Sequence, residues 1–289
     1  MAVQQLTLPG EIVKKSNELV RSKISISSVI GSRILASLIA CIKKDDTQFK
    51  DTYSIEIKNL ITDDGGKSYS SIKSICRELA KATAEIEFED IEEPDSDPIF
   101  YSFPFFSMIK YRKGVVSAKF NDSIGPLILD LKECFTRYNL VEYLLLPSIY
   151  SQRIFEILKS WNDGRNEKNI IISELHEMLN APESFKKDFR QFRTRVLEKA
   201  HKDITSKTSL HYEWEPVKKG RAVVAVRFIF AKEKALASAT RAKAAKEEKA
   251  RQSRNELGLL ALACLKERGQ ACEGGHQKDT VCEVCKKIR

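Results

Sequence analysis

FKKDFRQFRTRVLEKAHKDI, residues 185–204, is the stretch on which the fold turns. On a helical wheel Phe185, Phe189, Phe192, Val196 and Ala200 recur at i, i+4, i+7 spacing and make one apolar stripe. Lys186, Lys187, Arg190, Gln191 and Thr194 point away from it, with Arg193 at the border. A helix held by its phenylalanines would turn that basic side toward a polyanion. A charge run on a solvated helix has the same pattern in isolation, so the flanking sequence must decide.

Upstream, SIYSQRIFEILKSW (148–161) has the periodicity of a helix, with Ser148 or Ser151 available as N-cap. DGRNEKNI (163–170) is expected to be a turn and IISELHEMLN (171–180) a second, short helix. Ala181 to Ser184 make the next turn, and the basic helix comes third. Downstream, SLHYEWEPVKKGRAVVAVRFIF (209–230) alternates on both sides of Lys218-Lys219-Gly220-Arg221, the pattern of a β-hairpin with a basic tip. Three helices and a hairpin make a winged helix-turn-helix, in which the third helix enters the major groove of DNA and the wing tip lies along the backbone.

The module is expected twice. RILASL (33–38) resembles RIFEIL (153–158), and RELAKATAEI (77–86) resembles RVLEKAHKDI (195–204), in the same order and at nearly one offset. In the first copy ISSVIGSRILASLIACIK (26–43) is the first helix, YSIEIKNLI (53–61) a strand leading to a short helix, and KSYSSIKSICRELAKA (67–82) the third. Ile72, Ile75, Cys76 and Leu79 of that helix face inward, leaving Ser70, Lys73, Ser74, Arg77 and Lys81 outward. IFYSFPFFSMIKYRKGVVSAKF (99–120) is expected to be a hairpin turning at Lys113-Gly114. The acidic EDIEEPDSDP (89–98) before it is a poor neighbour for phosphate and belongs off the DNA or at a protein contact.

The totals agree with a basic, soluble α+β chain. Its 289 residues suffice for two cores, 42% are hydrophobic and 31% charged, and the net charge of +9 favours a polyanionic partner. The start, MAVQQLTLPGEIVKKSNELV, lacks a signal peptide's basic and apolar runs, and no apolar stretch approaches membrane-spanning length. Seven scattered cysteines do not make a secreted disulfide framework, so a cytoplasmic location is expected.

These segments, with GVVSAKFNDSIGPLILDLKECFTRYNL (114–140), resemble the iteron-binding replication initiators (Rep proteins) of theta-replicating plasmids over roughly residues 15–232. The resemblance is most specific at Phe135-Thr136, at Tyr150-Ser151 with Arg153, and at Lys219-Gly220-Arg221. It implies two tandem winged-helix domains reading opposite halves of a directly repeated origin site, the iteron. It also implies monomers that initiate replication and dimers, formed largely through the first domain, that bind an inverted repeat and repress their own gene. Host replication proteins and chaperones are implied partners. Carried over by position, Lys187, Arg190 and Thr194 would contact bases, with Lys186 and Arg193 nearer phosphate. Lys219 and Arg221 would hold the backbone, and Lys73, Arg77 and Lys81 would serve the first domain. The domains are then an arm (1–14), a dimerising winged helix (15–147), a base-reading winged helix (148–232), a basic helical linker (233–262) and a tail (263–289). A winged-helix transcriptional repressor with no initiator role is the alternative.

The resemblance ends with the second wing. Residues 231–254 carry eight basic and three acidic side chains, with no glycine or proline until Gly258. They are either a solvent-exposed helix or a partly helical linker. Cys272-x3-His276 and Cys282-x2-Cys285 supply four soft ligands suited to tetrahedral zinc, with Cys264 able to replace one of them. The tail is a small structural zinc knuckle, an unstructured thiol-bearing segment, or a site of redox or other metal chemistry, and no cofactor is otherwise required. Catalysis is not expected. Gly66-Lys67-Ser68 matches the end of a P-loop, but Ile61 stands where its first glycine belongs. The histidines, His176, His201, His211 and His276, include no His-x-His pair.

Overall fold

The computed structural model describes residues 12–43, 46–60, 67–88, 97–161 and 164–230, which belong to one compact unit ending at Phe230. The expected linker, tail and zinc ligands lie outside the described residues. The first module runs β1 (Ile12–Ser16), α1 (Asn17–Arg21), β2 (Lys23–Ile24), α2 (Val29–Ala40), β3 (Tyr53–Glu56), a 3-10 turn (Ile57–Asn59) and α3 (Lys67–Leu79). It continues through β4 (Thr83–Phe88), β5 (Ile99–Pro104), β6 (Phe106–Arg112), β7 (Val115–Phe120), β8 (Phe135–Asn139) and α4 (Leu140–Leu144). The second has α5 (Ile149–Trp161), β9 (Glu167–Ile171), α6 (Ile172–Met178), α7 (Glu183–Lys187) and α8 (Phe189–Phe192). A π turn (Arg193–Glu198), α9 (Lys199–Lys207), β10 (Tyr212–Lys219) and β11 (Ala222–Phe230) complete it.

In the second module one antiparallel sheet, ordered β10-β11-β9, backs the helices. The segment expected to be a turn at 163–170 therefore contains most of a strand. Only one of the five β9 residues, Ile170, is buried, so the hydropathy alternation that marks a strand is weak there. In the first module the sheet is split. β3 pairs with β7 and β7 with β6, while β4 pairs with β5 and β2.

The expected hairpin over 99–120 is corrected accordingly. Its second half turns at Lys113 and Gly114, both at positive φ, but Ile99–Pro104 crosses to the other sheet. Fully buried Phe105 stands where the chain changes sheets. The wing of the first module is thus β4–β5, joined by the acidic EDIEEPDSDP, of which 89–96 are not described. β1 takes in Ile12–Lys14, which the sequence placed in the N-terminal arm, and pairs with β8.

The repeat has a structural meaning. Ser28 and Ser148 cap the first helix of their modules, accepting hydrogen bonds from Gly31 N (3.1 Å) and Ser151 N (3.0 Å). Five residues after each cap an arginine is buried and donates to backbone carbonyls. Arg33 reaches Leu60 and Leu146, and Arg153 reaches Val20, Ser22 and Met178. A carboxylate of each third helix, or its continuation, ties back to the start of the first helix. Glu78 accepts from Ser27 N and Ser28 N, and Asp203 accepts from Ser151 Oγ at 2.7 Å. Burial pushes the Glu78 carboxyl up, but its serine hydrogen bonds outweigh that and hold it below the usual range.

α5 packs against α9 in its own module and against β8 and α1 in the first, which leaves even its polar residues buried. At its centre Glu156 is 1% exposed. Lys15 Nζ lies 2.6 Å from Oε1, Arg153 Nη1 lies 2.9 Å from Oε2, and the Tyr138 hydroxyl donates to Oε1. One carboxylate therefore joins β1, β8 and α5. Arg21 adds a second tie, donating to the Ser160 carbonyl at 2.7 Å with its guanidinium 3.2 Å from the Trp161 ring centroid. Burial alone would raise the Glu156 pKa, but the charges of Lys15 and Arg153 hold it below the usual carboxylate range.

Glu156→Ala strands two buried cations and is expected to cost about 3–5 kcal/mol in urea unfolding. Because the folded pKa lies below the unfolded one, this carboxylate's contribution is complete above the ordinary value of about 4.3. It is lost as pH falls through the folded value, so wild-type stability should drop on acidification below about pH 4, and the Glu156→Gln variant should lose less over that range.

Candidate nucleic-acid interface

The basic helix does not run unbroken from Phe185. Asp188 is extended (φ −130, ψ 94), and its carboxylate accepts from Arg190 N (2.9 Å) and Gln191 N (3.3 Å). It is the N-cap of a helix spanning 189–207, and those N–H groups hold its carboxyl below the usual range. Phe185, Lys186 and Lys187 belong to the separate helix α7. The wheel followed the apolar spacing correctly but could not place the break, because Asp188 falls on the polar side. Phe192, Val196 and Ala200 are buried and Phe185 and Phe189 half-buried, as the stripe required. His176 is 6% exposed and meets the Phe192 ring edge-on at 4.5 Å. Burial lowers its pKa, which favours the neutral ring there.

Lys186 bridges two helices, with Nζ 2.7 Å from Glu177 and 3.3 Å from Glu183. Hydrogen bonding to those carboxylates, Glu177 first, raises its pKa. Lys187, Arg190 and Thr194 are exposed, and the two cations have no ion-pair partner among the described residues. Arg193 Nε pairs with Glu198 at 2.8 Å, and the five-residue separation matches one turn of the π segment. That segment places Arg193, Thr194 and Arg195 consecutively on the surface, with Val196 and Leu197 buried behind them. Arg195 was missed in the sequence, since a regular 3.6-residue wheel carries no sign of a π turn.

The second wing turns at Gly220 (φ +64), a left-handed conformation that favours glycine, after a bulge between Val217 and Lys218. Lys218, Lys219 and Arg221 are exposed around it. Pro216 is tolerated because β10 is an edge strand. Arg227 braces all three strands through Glu215 (3.0 Å) and Glu167 (2.5 Å). In the first module Lys73 and Arg77 are exposed on α3, and Lys81 is exposed in the turn after it. Its wing has a different electrostatic character. Glu85, bound to Lys23 at 2.8 Å, and Glu87 lie in β4, and six carboxylates follow in the connecting sequence.

Among the described residues no cluster of three or more His, Cys, Asp or Glu side chains could hold a metal, and no helix is long and apolar enough to cross a membrane. Cys272, His276, Cys282 and Cys285 lie outside those residues.

Residues 12–159 match the first winged-helix domain (WH1) of initiator replication proteins, and residues 171–230 the second (WH2) of initiator Rep proteins. Among solved structures, the Pi initiator protein in complex with iteron DNA superposes with a TM-score of 0.60 at 21% identity, covering 77% of this chain and 98% of that one. A structure of domains 2 and 3 of RctB aligns at 0.41 and 13% identity, over 80% of this chain and 94% of that one. Matching both winged-helix domains in this order, with most of α5 falling inside the first match, the chain belongs to the initiator replication (Rep) protein family.

Proposed function

We propose that this chain initiates plasmid replication by binding directly repeated origin sites in duplex DNA. The observation that carries this reading is the exposed set of the second module, basic Arg190 and Arg195 with Thr194 on its third helix and Lys219 and Arg221 at its wing. An arginine there suits the O6/N7 edge of guanine, and the wing suits phosphate. The Pi initiator, which has the same fold, was crystallised on iteron DNA. Origin melting would draw on binding energy and DNA bending, followed by recruitment of host replication proteins. A dimeric form binding an inverted repeat would repress the chain's own gene. Family membership supports both roles, and the buried ties between the modules support a fixed spacing of the two readers.

Selection of binding sites from random duplex DNA tests the proposal. An asymmetric motif of about 20 bp, spanning two successive major grooves and recurring as direct repeats at an origin, is expected. A short palindrome at a promoter would favour a repressor, and no enriched motif would overturn DNA reading. Arg190→Ala should relax preference at one base position, at a cost of about 1–3 kcal/mol for the preferred base. Arg221→Ala should weaken all sequences alike and lower the slope of log K against log salt by about one.

We also propose that Cys272, His276, Cys282 and Cys285 hold a structural zinc ion, a role suited to their three thiolates and one imidazole. Elemental analysis of the purified chain should find one zinc per chain, lost in a Cys282→Ser, Cys285→Ser variant. Metal-free wild type would remove the knuckle.

A further inference from the structure

In the two-stranded sheet β1–β8, Lys14 lies directly opposite Arg137. Like charges in register across a ladder repel, so this pairing works against the sheet. Lys43 joins them in the lining of one cavity of about 370 Å³, whose apolar lining includes Ile39, Ile42, Ile128, Leu131 and Phe135. The one carboxylate among the lining residues, Asp130, pairs with Lys132 at 3.4 Å. Lys14 Nζ donates to the Leu131 carbonyl and sits 4.1 Å from the Phe135 ring centroid, with no carboxylate within ion-pair distance. The Lys43 backbone N–H donates to the Asp46 carboxylate at 2.9 Å, but the side chains of Lys14, Lys43 and Arg137 form no ion pair among the described residues.

Three cations without side-chain ion pairs, beside an apolar lining, suit an anion with an apolar body. The cavity falls in the range of about 300–1,000 Å³ typical of small-molecule sites. We propose that it binds an amphipathic monocarboxylate of medium chain length. The Arg137 fork and Lys43 would take the carboxylate and relieve the repulsion with Lys14, while the chain lies on the isoleucines. A DNA phosphate could neutralise the cations but would leave the apolar interior unfilled. The site is separate from the recognition helix and wing of the second module, so it stands independently of the function proposed above.

The test uses the full chain and a fluorescent fatty acid below its micelle concentration, displaced by dodecanoate. Saturable one-to-one binding is expected, with dodecyltrimethylammonium and dodecanol displacing poorly. Lys43→Gln with Arg137→Gln should weaken dodecanoate by about tenfold or more while the thermal transition stays cooperative. Leu131→Trp, which fills the cavity while keeping all three cations in the chain, should block binding. Equal displacement by the cationic or neutral amphiphile, or unchanged affinity in the charge variant, would overturn the proposal. So would displacement of the probe by duplex DNA, which would make these cations phosphate contacts instead.

Discussion

A single buried carboxylate determines how the two modules can be arranged. Glu156 sits on a helix belonging to the second module, yet two of its partners, Lys15 and Tyr138, come from the β1–β8 sheet of the first. Such a group cannot remain ionised in the interior unless its cations are close and held in place. Arg153 meets the same requirement from the other side by fastening to carbonyls in both modules. Hydrophobic burial would tolerate several ways of packing α5, whereas a charge with three fixed partners tolerates few. Specific orientation, more than added stability, is what the arrangement supplies.

The second module was largely legible in the sequence because its elements obey simple periodicities. The apolar stripe of Phe192, Val196 and Ala200 and the alternation around Gly220 are both set by burial of one face. What escaped was governed by features without a period. The end of one helix and the start of the next at Asp188 depend on a local competition for backbone N–H groups, and the π turn leaves no mark on a regular wheel. β9 was hidden because four of its five residues are not buried. In the first module Pro104-Phe105-Phe106 reads as the middle of one aromatic strand, although it is the point where the chain changes sheets.

The candidate site was legible as a set more than residue by residue. Arg190 on the third helix was readable from the stripe it avoids, and Arg221 from the alternation on either side of the wing turn. The engagement of Lys186 with Glu177 and Glu183 was not, since it depends on how α6 and α7 meet. That ion pair supports the corner of the helix-turn-helix from its exposed side, while His176 against Phe192 supports it from within. The charge run that opened the question therefore divides between groups that brace the motif and groups left unengaged.

The caps of α2 and α5 show how differently the two modules secure their first helix. A Cβ on Gly31 would come within 2.4 Å of the Ser28 hydroxyl that caps its helix. The corresponding Ser151 carries a Cβ, and its hydroxyl meets both Ser148 and Asp203. The first copy reaches a similar end through Glu78 and the Ser27 and Ser28 amides, without a side chain at that position. The two modules thus fasten the same pair of helices with different chemistry. They are not exchangeable parts, and a chimera grafting the third helix of one onto the first helix of the other would inherit a fastening with one half missing.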